Sequence, residues 1–411
     1  MSAAKKETPK RDVAALTAEY IFKATGQRPL GLVTGTFPHI PSGTFQIDTL
    51  IGGTPLPDGK GMVCPGFPKQ RMVEVYGAES SGKTTLALGA IVTVQKAGGV
   101  AMFLDFENAL HHGYAKACGV DFNAKKLLYF TPNTLEEGLK MIYLGIKTGV
   151  ELVVIDSVSA MVPKAELEKK LDDPPKIGAL AAAMSTNLPK MVQWLKNSGT
   201  SVIFINQIRA LIQQGARDTD NTSGGKAVKF YASLRLKLTR IRSDYIERPD
   251  TITLKKKRIP YGNVVQVKVV KNKLDGKQGQ TGEIFIRYGR GVDEFMGLIE
   301  SALPRKIITK SGSGYAYGGE SFRGKESVRK YLMGNPKAFG DIRDKIMKAL
   351  LSEAPEPLTG EDEIEDSDIL SDMRKELGDD DILDSGDETP EEGMAEEDAE
   401  APPAAEATEA S

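Results

Sequence analysis

RMVEVYGAESSGKTTLALGAIVTVQKAG, residues 71–98, is the stretch on which the reading of this chain turns. Met72 to Tyr76 is an apolar run of strand length, Gly77 to Thr84 fits the pattern GxxxxGK[ST], and Thr85 to Ala97 is helical in composition, stopped by Gly98-Gly99. Strand, glycine-rich loop and helix in that order are the setting that a phosphate-binding loop requires. Gly77, Ala78, Glu79, Ser80, Ser81 and Gly82 form a cradle whose backbone N–H groups turn inward around a polyphosphate, and the helix that follows adds its positive end. Lys83 reaches the terminal phosphates, Thr84 offers a hydroxyl to Mg²⁺, and Thr85 lies beside it. The plainer alternative, a left-handed glycine turn before an ordinary helix, would not need both flanking elements.

Downstream, strands and helices alternate. Val100 to Phe106, Leu127 to Phe130, Leu152 to Ile155 and Ser201 to Ile205 have strand composition. Thr134-Leu135-Glu136-Glu137 is a capping box that opens a helix to about Thr148, and Gly178 to Asn197 is helical apart from Pro189, which is expected to kink or divide it. This alternation predicts a mostly parallel sheet covered on both faces, with the active edge at the carboxyl ends of the strands. Glu107, Asp156 and Gln207 fall at those ends. An acidic residue is needed there to complete the Mg²⁺ shell, which suits Asp156, and a carboxylate such as Glu107 can activate water. Gln207 is an uncharged donor placed to sense a γ-phosphate.

Composition divides the chain. The formal net charge of -2 over 411 residues hides a segment, 352–411, with 24 Asp+Glu against 2 Lys+Arg, so that the remainder carries +20. A basic body invites a polyanion, and a detached acidic tail either competes for the same surface or only solubilises the chain. Cys64 and Cys118 are isolated, and His39, His111 and His112 have no ligand spacing with them, so neither a disulfide framework nor a zinc site is expected. With no apolar run of spanning length and no secretory leader at MSAAKKETPK, the reading is a soluble protein of a reducing compartment, with no membrane partner.

The flanks follow. A helix from about Pro9 to Thr25 carries the stripe Val13, Leu16, Tyr20 and Phe22, and residues 29–69 read as loops leading to the first central strand. Ser233 to Thr239, Val264 to Val270 and Glu283 to Tyr288 extend the sheet in antiparallel or mixed fashion. A small unit follows, with a glycine-rich turn at Gly312 to Gly319 and helices near Lys325 to Met333 and Lys337 to Leu351. Two irregular stretches, Glu166 to Gly178 and Arg209 to Gly225, come after the strands ending in Asp156 and Gln207, which makes them candidates for binding loops. The organisation expected is 1–35 helix and linker, the helix packing on its own core or on a neighbouring copy, 36–296 nucleotide-binding core, 297–351 small C-terminal α+β domain, and 352–411 acidic disordered tail.

In order and spacing, GAESSGKTT, FLDFENAL, VVIDSVSAMVPKAELE, FINQIR, SGGKAVKFYASLRL and VKVVKNK resemble the signature stretches of the RecA family of bacterial and bacteriophage recombinases. The resemblance implies a RecA-like P-loop core and a filament of ATP-bound protomers on single-stranded DNA that searches duplex DNA for homology and exchanges strands. Family residues carry over as Glu107 activating water, Tyr114 stacking on adenine, Asp156 serving Mg²⁺, and Gln207 reporting the γ-phosphate to the loop after it. Lys271 and Lys273 match the pair that reaches a neighbour's ATP, and Phe230 lies where protomers communicate. Ile177, Gly178, Arg209, Ile212, Gly224 and Gly225 fall in the two DNA-binding loops, with Ile177 and Ile212 placed to separate base triplets.

The chain also departs from the family pattern. Ala182 or Ala183, and Pro189, stand in a helix where the family has arginines, leaving Lys190; the second loop, QQGARDTDNTSGG, lacks an aromatic and an Asn-Pro; and Lys226 replaces an asparagine. An insertion near Ser243 to Arg258 ends in LKKKR and is read as a solvated basic face in preference to a DNA-contacting hairpin. These departures suit a bacteriophage member, and the expected location is cytoplasmic, the host cytoplasm if phage-encoded. The alternative function is a ring-forming DNA helicase on the same core. A non-catalytic scaffold would need a broken catalytic set, and Glu107, Asp156 and Gln207 are all present.

Overall fold

The computed structural model describes residues 35–352 except 54, 57–60, 171, 175, 177, 209–221, 250–255 and 275–277, together with Ile21, Lys23 and Thr25. The expected N-terminal helix therefore lies largely outside the described residues, as do Ile177, Arg209, Ile212 and the acidic tail.

Strand β1 (His39–Ile40) pairs with β2 (Phe67–Pro68), and between them runs helix α1 (Phe45–Gly52). This helix corrects the reading of residues 29–69 as loops. Its single turn of apolar spacing, Ile47 and Ile51, is too short to register as periodicity, yet both side chains are fully buried in the main core. Next come β3 (Met72–Gly77), helix α2 (Lys83–Lys96), β4 (Ala101–Asp105), α3 (His112–Ala117), β5 (Leu127–Phe130), α4 (Leu135–Thr148) and β6 (Leu152–Asp156). After α5 (Lys164–Leu167), α6 (Ala179–Leu195) runs undivided through Pro189, so of the two expected outcomes, a kink or a division, division does not occur. Met184, Leu188, Met191 and Leu195 hold both of its halves to one apolar layer, which outweighs the lost backbone bond. Then follow β7 (Ser201–Gln207), α7 (Gly225–Tyr231), β8 (Leu234–Pro249), β9 (Lys256–Asn272), β10 (Thr281–Arg287) and β11 (Gly291–Val292).

These strands form one nine-stranded sheet in the order β11-β10-β9-β8-β3-β7-β6-β4-β5. From β8 to β5 every pairing is parallel, and from β8 to β11 every pairing is antiparallel, so the sheet is mixed as expected. The two-residue period sends Val73, Val75, Val154 and Ile203 into a layer with Leu86 and Ile91 of α2. Met72, Val153, Ile155 and Phe204 go to the opposite layer, with Ile142 of α4 and Leu188 of α6. Burial on both faces explains why these strands read as continuous apolar runs.

Thr134 Oγ1 accepts from Glu137 N at 3.2 Å and so caps α4, but the Glu137 carboxylate accepts from Asn133 N, one residue earlier than a reciprocal box would have it. The inserted stretch is a hairpin. β10 pairs with β9 only as far as Gly262, whereas the β8–β9 ladder continues to Pro249 opposite Lys256 and forms a two-stranded arm. Helix α8 (Glu294–Ala302) leads into a small C-terminal unit with its own three-stranded sheet of β12 (Thr309–Ser311), β13 (Gly314–Tyr317) and β14 (Glu320–Arg323), closed by α9 (Lys325–Gly334) and α10 (Pro336–Ser352). Ile299, Ile308, Val328 and Ile342 form its core.

Candidate nucleotide site and strand-end cluster

Two backbone demands set the loop between β3 and α2. A Cβ on Gly77 would stand 2.2 Å from the backbone oxygen of Leu238 in the paired strand β8, and Gly82 has φ +88. Having no side chain, Gly82 cannot cap α2, so the helix's first N–H groups remain available to an anion. Ser81 Oγ is buried and has no hydrogen-bond partner among the described residues. Lys83 is buried too, and its Nζ donates to the carbonyls of Gly77 (3.1 Å) and Ala78 (2.8 Å), folded back over the cradle that it would leave for a phosphate. Burial lowers its pKa against the pull of Asp156, Glu107 and Glu79. An orphaned hydroxyl, uncapped N–H groups and a self-solvated lysine together fit a polyphosphate.

At the carboxyl ends of β4, β6 and β7, three expected residues converge. Thr84 Oγ1 donates to Asp156 Oδ2 at 2.7 Å. Burial pushes Asp156 up to about 6; the Thr84 hydroxyl opposes this, Glu107 and Asp105 add to it, and Lys83 opposes it. Thr84 and Asp156 offer only oxygen donors, the kind that Mg²⁺ takes, so the pair fits that ion. Glu107 is exposed, and its Oε1 accepts from both Gln207 Nε2, at 3.0 Å, and Ser157 Oγ. Its Oε2 accepts no hydrogen bond from any described residue, which leaves it open to a water molecule.

Sequence reasoning missed the residues that hold this cluster. Ser157 links Glu107 to Ser159, whose hydroxyl lies 2.6 Å away. Buried Asp105 accepts from Ala109 N, Leu110 N and Tyr129 OH and so shapes the turn that carries Glu107. Behind the loop, Glu74 and Arg235 form a buried ion pair, and Asn206 Nδ2 donates to Glu74 Oε1 and to Ser223 O, each at 2.9 Å. An acidic residue inside an apolar strand, as in MVEVYG, is the one sequence signal that pointed to such a buried partner.

Tyr114 lies beside the loop, its hydroxyl 2.8 Å from Thr85 Oγ1, and burial pushes its pKa up to about 12. His111 caps α3 by accepting from Tyr114 N, while His112 packs against the rings of Phe122 and Tyr129. Gly178 and Gly224 are the N-cap residues of α6 and α7, with φ +81 and +82. A Cβ on Gly225 would meet Ala181 Cβ at 2.8 Å, so the two helices start side by side. An antiparallel bridge between Ile208 and Thr222 closes the base of the second loop directly after Gln207. Lys271 and Lys273 do not join the cluster. Lys271 pairs with Arg235, itself level with Glu74, which puts the lysines toward the opposite edge of the sheet from Gly77.

Glycine loop, strand-end carboxylates and parallel sheet define a P-loop nucleotide hydrolase. Family models described as the RecA N-terminal domain and the RecA C-terminal domain match residues 39–293 and 296–351. Proteins called Protein RecA from Corynebacterium diphtheriae and Nocardia farcinica are each 42% identical over 313 residues, covering 76% of this chain and 77% and 82% of theirs. A solved structure of the RadB recombinase is a distant likeness, with a TM-score of 0.42 at 20% identity, covering 62% of this chain and 98% of that one. The chain belongs to the RecA family, and its function is that of an ATP-dependent recombinase of DNA recombination and repair; the helicase alternative is not favoured. Among the described residues, no helix is long and apolar enough to cross a membrane, and no group of three or more His, Cys, Asp or Glu is placed to hold a metal.

Proposed function

We propose that this chain assembles as a filament on single-stranded DNA, pairs it with duplex DNA, and hydrolyses ATP at sites completed between neighbouring copies, with DNA stimulating turnover. The observation that carries this reading is the separation of the cations. Lys83 serves its own loop, while Lys271 lies level with Glu74, three residues and roughly 10 Å before Gly77 and two strands away from β3, and Lys273 lies two residues further along, where its N–H donates to Ser233 O. Those lysines are out of reach of their own phosphate loop and serve another copy's, Lys271 giving up its bonds to the Lys229 and Phe230 carbonyls to do so.

Within one site, the cradle from Gly77 to Gly82 and Thr85 hold the phosphates, Tyr114 flanks the base, and Thr84 with Asp156 holds Mg²⁺, which neutralises phosphate charge when bound. Glu107 Oε2 orients a water and takes its proton as the water oxygen attacks the γ-phosphorus and the bond to the leaving diphosphate breaks. Gln207 exchanges its bond to Glu107 for one to the γ-phosphate. Because Ile208 and Asn206 tie the neighbouring backbone to Thr222 and Ser223, that exchange moves the base of the second loop. Arg209 and Ile212 in that loop, and Ile177, Gly178, Gly224 and Gly225 around the paired helix starts, contact single-stranded DNA. DNA as substrate places the protein in the cytoplasm.

The test is steady-state ATP hydrolysis with Mg²⁺, with and without single-stranded DNA, on the wild type and on a Lys271→Ala, Lys273→Ala double variant. Strong stimulation that the double variant loses is the expected result. Stimulation that survives in the variant would remove the lysines from the mechanism, and no stimulation of the wild type would sink the DNA-dependent reading.

A further inference from the structure

A base that stacks on Tyr114 presents its edge to the side chains around that ring, and His111 is held among them. As the N-cap of α3, His111 accepts from Tyr114 N through Nδ1 at 2.9 Å. That bond fixes the tautomer. With Nδ1 used as an acceptor, the proton of the neutral imidazole sits on Nε2, so the outer ring nitrogen is a donor. Gly113 makes room for the ring, since a Cβ there would stand 2.9 Å from His111 Cε1 and 3.3 Å from its Nδ1. His112 is engaged elsewhere, its ring 5.0 Å from that of Phe122 and 5.1 Å from that of Tyr129, whereas His111 is exposed.

The acceptors on the segments around α3 are already committed. The helix itself, HGYAKA, contains no carboxylate. Before it, Asp105 accepts from Ala109 N, Leu110 N and Tyr129 OH, and Glu107 faces Gln207 and Ser157. After it, Asp121 holds Asn123 N and Lys126, and Asp293 beyond β11 takes Arg287 and Arg329. The Thr85 hydroxyl lies 2.8 Å from that of Tyr114. Cys118 packs on β11, where a Cβ on Gly291 would meet its Sγ at 3.0 Å, and burial pushes its thiol up, so it brings contact without charge. What remains beside the Tyr114 ring, among the described residues, is the His111 donor.

Purines differ in what they ask for at position 6. Adenine carries an amino group there, which needs an acceptor; guanine carries an oxygen, which needs a donor; both have the N7 acceptor. An N–H donor satisfies N7 or O6 and cannot bond the 6-amino group. Stacking treats the two bases alike, so nothing in such a site rejects guanine.

We propose, on the placement of the base against Tyr114 given above, that His111 sets base specificity by donating from Nε2, and that the nucleotide site takes guanosine triphosphate as well as adenosine triphosphate. The 6-oxopurine is held through O6 and N7, and adenine through N7 alone.

The test is equilibrium binding, by fluorescence anisotropy with Mg²⁺, of ribose-labelled β,γ-imido analogues of ATP, GTP and ITP to the full chain. In the wild type the three should bind within about fivefold of one another. ITP has O6 and N7 without the 2-amino group of guanine, so it should follow GTP. His111→Asp and His111→Asn separate the base contact from the fold, because either side-chain oxygen can cap α3 at Tyr114 N. Asp then offers an acceptor to the base and Asn keeps a donor. The Asp variant should lose about tenfold in affinity for the GTP analogue relative to the ATP analogue, and the Asn variant should keep the wild-type ratio within about twofold. Taking the ratio cancels any general effect of the added charge on the phosphates. A wild type that binds the GTP analogue more than about fivefold more weakly than the ATP analogue would overturn the proposal. So would ratios that move equally, or not at all, in the two variants. Binding of the ATP analogue alone would leave the phosphate loop standing, whereas binding of none of the three would bring down the loop reading and this one together.

Discussion

Gln207 Nε2 donates to Glu107 Oε1 at 3.0 Å, joining the ends of two strands that are separated in the sheet by β6. The same carboxylate oxygen receives the Ser157 hydroxyl from the end of that intervening strand, so three strand ends meet on one atom. The arrangement holds Glu107 in place while leaving its second oxygen open.

Replacing Glu107 with Gln keeps the shape and removes the proposed base. Hydrolysis should fall by about 10²- to 10⁴-fold, while affinity for a fluorescent ATP analogue should change by less than about threefold. Turnover and equilibrium binding measured on one preparation check this. A variant with full turnover would exclude Glu107 as the base.

Ser157→Ala tests the support of that carboxylate. It removes one of the two donors to Glu107 Oε1 and leaves Asp156 and Thr84 intact. We expect kcat to fall by about tenfold with KM for ATP little changed, since the loss lies in positioning and is of the order of one hydrogen bond to a charged group. A rise in KM at constant kcat would assign Ser157 to binding instead.

The buried pair behind the loop should be fragile in one direction only. Glu74 is 0% exposed and Arg235 8%, so Glu74→Ala strands a guanidinium in the core and should cost about 3–5 kcal/mol. Glu74→Leu combined with Arg235→Met removes both charges and should be far milder than the single change. Urea unfolding of the three proteins decides it, and equal destabilisation by the single and double changes would contradict the account.

Gly77→Ala forces a methyl group to 2.2 Å from the Leu238 backbone oxygen, which no side-chain rotation can relieve. The variant should lose about 1–3 kcal/mol and bind nucleotide more weakly, because the end of β3 and the loop it launches must shift together. Thermal unfolding and nucleotide titration are the measurements. An unchanged Tm would mean that β8 yields more easily than its pairing with β3 suggests.

Lys271 carries a pH dependence of definite sign. Its ammonium donates to the carbonyls of Lys229 (2.7 Å) and Phe230 (2.9 Å), and Lys273 lies 5.6 Å from the centre of the Phe230 ring. Burial, then Lys273 and Arg235, push its pKa down from 10.5 to about 8, with Glu74 opposing. Because the folded state gives up this proton before the unfolded state does, stability from this group should rise as pH goes from 8 toward 10.5. On the proposed role of Lys271 at a neighbour's phosphate, activity should move the other way, since a neutral amine cannot hold that charge, so DNA-stimulated hydrolysis should fall above pH 8. A flat profile between pH 7 and 9 in the wild type would place Lys271 outside the nucleotide site.

Much was legible without coordinates because it is local or periodic. Apolar runs named the central strands, the octapeptide named the phosphate loop, and strand-end polarity named Glu107, Asp156 and Gln207. Chain order cannot say which side chain faces which once strands cross over, so the shared oxygen of Glu107 and the Glu74–Arg235 pair, 161 residues apart, belong to tertiary structure alone. Helix α1 escaped notice because two buried isoleucines are too few to show a period, and α6 survived Pro189 because packing outweighs one missing bond. The inserted basic stretch became a two-stranded arm only because the β8–β9 pairing continues beyond the last residue that β10 covers. Sequence determined the chemistry each element carries, through composition and period; the tertiary structure decided which of those chemistries meet, because contacts between distant residues depend on sheet order and register.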